Sequence, residues 1–129
     1  MARLTKSVLL VDDNPIIRRT LHRVFESQAD FDVCGEAENG QEAIEKASQL
    51  SPDVIVLDLS MPVMNGLDAA RVLKRMAPTV PLILFSSFTD ALQHEMAETA
   101  GFSAVISKAD NVSVLIDKTR HLLQMPDRH

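Results

Sequence analysis

The most strongly apolar run in the chain is Asp53-Val54-Ile55-Val56-Leu57, which stops at Asp58. It is short, continuous and rich in β-branched residues, a composition that favours a strand. An apolar run without polar alternation is typical of a parallel strand covered by helices on both faces. We therefore predict that this run is the central strand of a parallel sheet.

The same kind of run recurs on both sides of this strand and alternates with segments of helical period. Strands are predicted at residues 7–11, 31–37, 53–57, 82–85 and 102–107, each followed by a helix. The second strand is interrupted by Asp32, Gly35 and Glu36, which places it at or near an edge. Five strand-then-helix units without a hairpin signal predict an α/β fold, a doubly wound five-stranded parallel sheet in the order 2-1-3-4-5 flanked by five helices.

The start of the first helix shows the local signals on which these boundaries rest. Asp12-Asp13-Asn14-Pro15 supplies good N-cap residues and a proline suited to the first helical turn. Apolar residues from Ile17 to Phe25 then follow the helical period. Arg18, Arg19, His22 and Arg23 fall on other faces of this helix, where solvated positions are the default expectation.

Length and composition restrict the class of protein. The 129 residues allow one domain, which we expect to span residues 1–129. Thirteen Lys+Arg against eighteen Asp+Glu give a formal net charge of −5, which argues against direct nucleic-acid binding through overall charge. The single cysteine, Cys34, excludes an internal disulfide framework and a multi-cysteine zinc site. No apolar run approaches the ~20 residues that span a bilayer, so we expect a soluble cytoplasmic protein that binds no membrane.

Polar side chains follow the predicted strands at their carboxyl ends, where ligands bind in such sheets. They are Asp12 and Asp13 after the first strand, Asp58 after the third, Ser86 and Ser87 after the fourth, and Lys108 after the fifth. Three carboxylates repel one another unless a cation lies among them, and oxygen-only ligands select a hard ion such as Mg²⁺. For any single aspartate, capping a helix or loop is an equal explanation. The combination of all three with Lys108 favours a metal and phosphate site.

Asp58 is the candidate nucleophile of this site, because it ends the central strand and can face both a metal and an incoming phosphoryl group. Carboxylates form covalent aspartyl-phosphate intermediates. Mg²⁺ would screen the charge between the carboxylate and the phosphoryl group. Lys108 would pair with a second phosphoryl oxygen, and the Ser86 hydroxyl can donate a hydrogen bond to a third.

The chain resembles the receiver domains of two-component response regulators. The resemblance rests on Leu10-Val11-Asp12-Asp13-Asn14, Leu57-Asp58-Leu59-Ser60-Met61-Pro62, Asn65-Gly66, Phe85-Ser86-Ser87 and Ile106-Ser107-Lys108. No single motif is decisive, but the set matches in order and spacing over essentially the whole chain. It implies the flavodoxin-like receiver fold, with a core at about residues 7–123 and no output domain in this chain.

The resemblance also implies roles for the residues at the predicted site. Asp58 would accept a phosphoryl group from a histidine kinase or a histidine phosphotransfer protein, and the chain would not be an ordinary turnover enzyme. Asp13, Asp58 and the backbone carbonyl of Ser60 would ligate Mg²⁺ directly, and Asp12 would act through water. Lys108 would pair with the phosphoryl group.

The residues implied to transmit the signal include one departure from the family pattern. Ser86 would be the switch hydroxyl, and the small Ser87 lies where bulk would limit access to the acceptor. Receivers commonly carry an aromatic residue three positions before the lysine, but this chain has Val105. We therefore predict that switching runs through displacement of the loop at residues 86–89 and of the fourth helix, with Phe88 as a substitute for the missing ring.

The partners and the context of the domain are left open by the sequence. Phosphorylation would alter the surface of the fourth helix, fifth strand and fifth helix, which would engage an output domain or a target protein, or form a homodimer. The chain is either a stand-alone receiver or the front half of a DNA-binding regulator; its loops at residues 58–62 and 107–110 slightly favour the second. A Mg²⁺-dependent phosphohydrolase with an aspartyl nucleophile is the alternative, although the spacing of Asp12-Asp13-Asn14 does not match that class. A dinucleotide-binding module would need a glycine-rich turn after the first strand, and none is present.

Overall fold

The computed structural model describes residues 5–87 and 90–124. Within these residues strands and helices alternate along the chain: β1 (Lys6–Val11), α1 (Pro15–Glu26), β2 (Phe31–Ala37), α2 (Gly40–Leu50), β3 (Val54–Leu57), α3 (Gly66–Met76), β4 (Leu82–Ser86), α4 (Ala91–Ala100), β5 (Ala104–Ser107) and α5 (Val112–Gln124). The predicted strands are all present, with boundaries that agree to within two residues.

The strands form one parallel sheet in the order β2-β1-β3-β4-β5. The predicted order is confirmed, with β3 in the centre and β2 at an edge. The pairing of β1 with β2 changes register, because Val8 lies opposite Val33 whereas Leu9 lies opposite Gly35. The extra residue on β2, Cys34, bulges at the point where polar residues and glycine interrupt the apolar run.

Each face of the sheet packs against its own set of helices, because alternate residues of a strand point to opposite faces. In β1, Leu9 and Val11 belong to a core cluster with buried residues of α2, α3 and α4. Val8 and Leu10 belong to a second cluster with buried residues of α1 and α5. This double coverage explains why the strands are continuous apolar runs.

Main-chain hydrogen bonds align the carboxyl ends of neighbouring strands. The N–H of Asp12 donates to the carbonyl of Ala37 at 3.0 Å, and the N–H of Asp58 donates to that of Val11 at 2.9 Å. On the other side of the sheet, the N–H of Lys108 donates to the carbonyl of Ser86 at 2.8 Å. The residues that follow β1, β3 and β5 therefore lie along a single edge.

The loop between β3 and α3 folds back tightly onto the end of β3. The N–H of Gly66 donates to the carbonyl of Leu59 at 2.8 Å, and a Cβ on Gly66 would lie 2.2 Å from the carbonyl oxygen of Asp58. Earlier in the loop, Val63 has a left-handed φ of 68° and is 82% exposed. A β-branched residue rarely adopts this conformation, so the loop stores backbone strain at this residue.

The helices begin where the capping signals place them. The side chains of Asn14, Asn39, Asn65 and Asp90 each accept a hydrogen bond from a backbone N–H of the first turn. Phe88, for which a switching role is predicted, lies outside the described residues. Among the helices of the described residues, none has the length and apolar character needed to cross a bilayer.

Candidate functional site

Asp58 lies at the end of the central strand and is 7% exposed. Its backbone is held by the bond to Val11, and its carboxylate oxygen Oδ1 accepts a hydrogen bond from the N–H of Leu59 at 2.8 Å. Within the described part of the chain, the second oxygen, Oδ2, has no hydrogen-bond partner. One oxygen of the carboxylate is thus oriented by the protein and the other is left for a ligand.

The two aspartates after β1 differ in how they are held. Asp12 is 2% exposed, and its Oδ1 accepts a hydrogen bond from the N–H of Asn14 at 2.9 Å. Asp13 is exposed, and its side chain makes no hydrogen bond or ion pair with any described residue. One carboxylate oxygen each of Asp12, Asp13 and Asp58 lie within 4.8 Å of one another. The structure therefore brings the three predicted carboxylates together.

Lys108 provides the cation next to this cluster. Its Nζ lies 2.8 Å from Asp12 Oδ2 and 3.3 Å from Asp58 Oδ1, and its side chain is 14% exposed. The backbone bond to Ser86 places the residue directly after β5, so the side chain reaches across the edge of β4 toward β3 and β1. The ammonium is in contact with two of the three carboxylates.

Burial and the neighbouring charges shift the pKa values of Asp58 and Lys108. Burial raises the pKa of the Asp58 carboxyl, the charge of Asp12 raises that pKa further, and Lys108 opposes both effects. For Lys108 burial lowers the pKa, but the hydrogen bonds and charges of Asp12 and Asp58 outweigh it, so the pKa is raised. Lys108 is therefore an ammonium at neutral pH.

The donor set of the cluster suits a hard divalent cation. Three carboxylates face one ammonium, so a dication would offset the excess negative charge. All candidate ligand atoms are carboxylate oxygens, which is the chemistry that Mg²⁺ prefers. The free carboxylate of Asp13 and the free Oδ2 of Asp58 are open to such an ion, whereas both oxygens of Asp12 already have partners.

Three other predicted site residues, Ser60, Ser86 and Ser87, lie at the same end of the sheet, whereas Val105 lies within β5 opposite Leu84. Ser86 is the last residue of β4 and is 2% exposed, and Ser87 after it is exposed. Ser60 is exposed, two residues after Asp58. Val105 is partly buried and packs against the core cluster on the face of α2, α3 and α4. Phe88, the predicted substitute for the aromatic ring that Val105 replaces, falls outside the described residues.

A group of charged residues beside the cluster was not predicted. Arg18 in α1 donates from Nη1 to the backbone carbonyl of Asp12 at 2.7 Å and from Nε to Glu36 Oε1 at 2.8 Å. His22 Nδ1 lies 2.6 Å from Glu36 Oε2, and Lys46 donates to the backbone carbonyl of Glu36. The expectation of solvated positions is wrong for Arg18, whose side chain is only 17% exposed. The available signal was Glu36, a carboxylate in an edge strand adjacent to a helix that carries several cations.

The fold and the cluster define a class of protein: a doubly wound α/β domain with an acidic pocket and a lysine at the carboxyl end of its sheet. The sequence-family model of the response regulator receiver domain matches residues 8–120. The chain belongs to this family. Receiver domains are the phosphoacceptor modules of two-component systems, and they bind Mg²⁺ at an acidic pocket and interact with histidine kinases and output domains.

Curated relatives and solved structures agree with this assignment. The chain is 38% identical over 125 residues to a protein-glutamate methylesterase/protein-glutamine glutaminase of Methanococcoides burtonii; the match covers 88% of this chain and 35% of that protein. The chain thus spans about a third of the length of that relative. It is 34% identical to the response regulator domain of Thermotoga maritima CheB, with a TM-score of 0.88 and coverage of 95% of this chain and 99% of that one.

A second solved structure has a similar fold. A two-component response regulator of the LuxR family from Aurantimonas has 27% identity and a TM-score of 0.88, with coverage of 92% of this chain and 85% of that one. These comparisons do not favour the phosphohydrolase alternative.

Proposed function

We propose that this chain accepts a phosphoryl group on Asp58 in a Mg²⁺-dependent reaction and thereby switches the surface that controls an output domain or a partner protein. The observation that carries the proposal is the position of Asp58: a buried carboxylate at the end of the central strand, with one oxygen oriented, one oxygen free, and Lys108 at 3.3 Å. The donor is a histidine kinase or a histidine phosphotransfer protein.

Asp13, Asp58 and the backbone carbonyl of Ser60 would hold the metal directly, and Asp12 would contact it through water. Support comes from the hydrogen bonds of the carboxylates, since both oxygens of Asp12 are engaged while Asp13 and Asp58 Oδ2 are open. When bound, Mg²⁺ supplies positive charge that offsets the repulsion between the acceptor carboxylate and the phosphoryl oxygens.

The transfer forms one bond and breaks another. A carboxylate oxygen of Asp58 attacks phosphorus, the P–N bond of the donor phosphohistidine breaks, and the released imidazole nitrogen keeps the electron pair and is then protonated. Lys108 turns from the carboxylates to pair with a phosphoryl oxygen, and the Ser86 hydroxyl donates to another. The small side chain of Ser87 leaves the approach to Asp58 open. The chain is in this sense an autocatalytic phosphoacceptor and not a turnover enzyme.

Switching is proposed to run through the loop at residues 86–89 and α4. Of the ten residues of α4 only Ala97 and Ala100 are buried, while Leu92 is 66% and Met96 41% exposed. A helix with so small a buried face is attached by little apolar area, so contacts of the phosphoryl group with Ser86 can shift its position at modest cost. Val105 has no polar tip to expose or hide, so its own rearrangement would be small.

We propose that the surface of α4, β5 and α5 binds the protein that receives the signal. That protein is an attached effector, a separate target or a second copy of this chain in a homodimer. The match to about a third of the length of a methylesterase relative supports a receiver that controls an attached effector. The similarity to a LuxR-family regulator keeps a DNA-binding effector as the second candidate. The domain would act in the cytoplasm, where histidine kinases present their phosphohistidine.

Intact-mass measurement after incubation with acetyl phosphate tests the proposed acceptor. We expect one added phosphoryl group on the wild-type chain with Mg²⁺, and none without it. Asp58→Asn should take up none. Asp68→Asn is the matched control, since Asp68 is an exposed carboxylate that pairs with Arg71 and is not one of the three clustered carboxylates, and it should be labelled like the wild type. Labelling of Asp58→Asn at the wild-type level would refute the proposal.

A further inference from the structure

Arg18 is held in place on two sides. Its Nε donates to Glu36 Oε1 at 2.8 Å, and its Nη1 donates to the backbone carbonyl oxygen of Asp12 at 2.7 Å. Glu36 is in turn held through its second carboxylate oxygen by His22 and through its backbone carbonyl by Lys46. The planar guanidinium, with its donors in a fixed fork, is thus locked between β2 and the loop that follows β1.

The carbonyl that Arg18 binds belongs to the peptide group joining Asp12 to Asp13. A peptide group is planar, so its carbonyl oxygen, the N–H of Asp13 and the Cα of Asp13 move together. The bond from Arg18 therefore fixes the plane from which the side chain of Asp13 projects. Other bonds hold Asp12 itself: its N–H is bound to Ala37, and its carboxylate is bound to Asn14 and Lys108.

Asp13 has no comparable support of its own. Its side chain is exposed and makes no hydrogen bond or ion pair with the residues that the structure describes. Because of this, the orientation of its carboxylate depends on the backbone on either side. The Arg18 bond is a side-chain restraint on that backbone at the point where it leaves β1.

We infer that Arg18 is a positioning residue for the metal site: through the Asp12–Asp13 peptide it presents the carboxylate of Asp13 to the Mg²⁺ ion that the proposed function requires. The inference rests on that proposed function, but it adds a residue that touches neither the metal nor the phosphoryl group. Partners that orient metal ligands in this way change metal affinity about 10- to 100-fold when they are removed.

The sign of the effect separates positioning from simple electrostatics. Arg18 is a cation near a cluster of carboxylates and repels a bound dication. If electrostatics alone decided the affinity, removal of its charge would therefore tighten the binding of Mg²⁺. Positioning predicts the opposite, weaker binding in Arg18→Gln. Arg18→Lys keeps the charge but loses the planar fork, so it should also weaken binding, although electrostatics alone predicts no change.

The test is a titration of the folded domain with Mg²⁺, in which binding is measured by calorimetry and by backbone NMR. We expect Arg18→Lys and Arg18→Gln to raise the Kd about 10-fold. The matched control is Arg19→Gln, since Arg19 is the next residue of α1, is exposed and makes no hydrogen bond or ion pair with the described residues. It should leave the Kd unchanged or slightly lower. In an Asp13→Ala background, Arg18→Lys should add little, because the carboxylate that it positions is gone.

A second readout needs no metal. The N–H of Asp13 lies in the peptide plane that Arg18 holds, so its ¹⁵N order parameter in the metal-free protein reports the restraint directly. We expect an order parameter of about 0.85, typical of rigid backbone, in the wild type and in Arg19→Gln, and a clearly lower value in Arg18→Lys. If both Arg18 variants failed to fold, Glu36→Gln would serve instead, since it loosens Arg18 from β2 and should change both readouts in the same direction.

The outcomes separate the inference from the proposed function. Wild-type binding of Mg²⁺ with unchanged Kd and unchanged Asp13 order parameter in the folded Arg18 variants, or in Glu36→Gln, overturns the inference and leaves the proposed function intact. A wild-type chain that binds no Mg²⁺ and takes up no phosphoryl group overturns the proposed function. The rate of phosphorylation gives the same distinction. Arg18→Lys should be labelled slowly at low Mg²⁺ and at the wild-type rate at saturating Mg²⁺. Slow labelling at saturating Mg²⁺ would contradict a role through metal binding.

Discussion

Replacement of Gly66 by alanine should disturb both the stability of the domain and the acceptor. An added Cβ would lie 2.2 Å from the carbonyl oxygen of Asp58 and 3.1 Å from the Cα of Leu59. Cβ atoms essentially never approach other atoms closer than 3.0 Å, so the first contact alone requires a shift of at least 0.8 Å. Backbone lies on both sides of this contact, and no flexible side chain can move away to relieve it.

The size of the effect follows from this shift. Forcing extra atoms into a packed site lowers the free energy of unfolding by about 1–3 kcal/mol. Because this clash is with backbone, we expect a loss in the upper part of that range, about 2–3 kcal/mol. For a domain of this size that corresponds to a fall in Tm of about 7–11 °C. Helix propensity works in the other direction, since alanine is favoured over glycine by up to about 1 kcal/mol within a helix. Gly66 is the first residue of α3, where alanine gains only part of this advantage over glycine.

Displacement of Asp58 should also slow its phosphorylation. A misplacement of about 1 Å in a reacting group can cost on the order of 100-fold in rate, so labelling of Gly66→Ala by acetyl phosphate should be about 10- to 100-fold slower. Gly35→Ala is the control, because its one close contact, at 2.7 Å, is with the Cδ1 of Leu50, the end of a flexible and partly exposed side chain, while the Cδ1 of Leu9 lies at an ordinary contact distance of 3.5 Å. If Gly66→Ala melted at the same temperature as the wild type and were labelled at the same rate, the backbone of Asp58 could not lie as close to Gly66 as this contact requires.

Three further predictions concern strain, pH and metal binding. Val63→Asn should stabilise the fold by about 1 kcal/mol in urea denaturation, because asparagine tolerates a left-handed φ that valine does not; equal or lower stability would contradict the strain. Hydrogen bonds from Arg120 lower the pKa of Asp30 below its ordinary value of 3.8. The pair therefore stabilises the folded state fully at pH values above 3.8, and this stabilisation is lost as the pH falls through the lower pKa of the folded state. The Tm difference between the wild type and Asp30→Asn should therefore be present at pH 6 and shrink in strong acid, and a difference independent of pH would count against the pair. Asp13→Ala should weaken Mg²⁺ binding more than Asp12→Ala in a calorimetric titration, and the reverse order would contradict the water-mediated role of Asp12.

The fold was predictable because its signals are local and repeat along the chain. Apolar runs, capping residues and the interruption at Gly35 are visible in short windows, and β2 does lie at the edge. The convergence of Asp12, Asp58 and Lys108 also follows from sequence, because all carboxyl ends of a parallel sheet meet at one edge.

The features that could not be predicted depend on contacts between elements that are distant in sequence. The burial of Arg18 depends on how α1 lies against β2, which sets the distance to Glu36. The positive φ of Val63 depends on the tight turn in which the N–H of Met64 donates to the carbonyl of Pro62, and nothing in the identity of a valine indicates it. The close approach of Gly66 to Asp58 has the same origin, since the Asn65-Gly66 motif marks a helix start but not the contact behind it.

Mapping the modified residue in the phosphorylated chain tests the central claim most directly. After incubation with acetyl phosphate and Mg²⁺, borohydride reduction converts an aspartyl phosphate to homoserine, which peptide mass spectrometry assigns to one position. The account predicts homoserine at position 58 and at no other aspartate. Homoserine at Asp12 or Asp13, or a wild-type chain that is fully labelled but unmodified at Asp58, would contradict it.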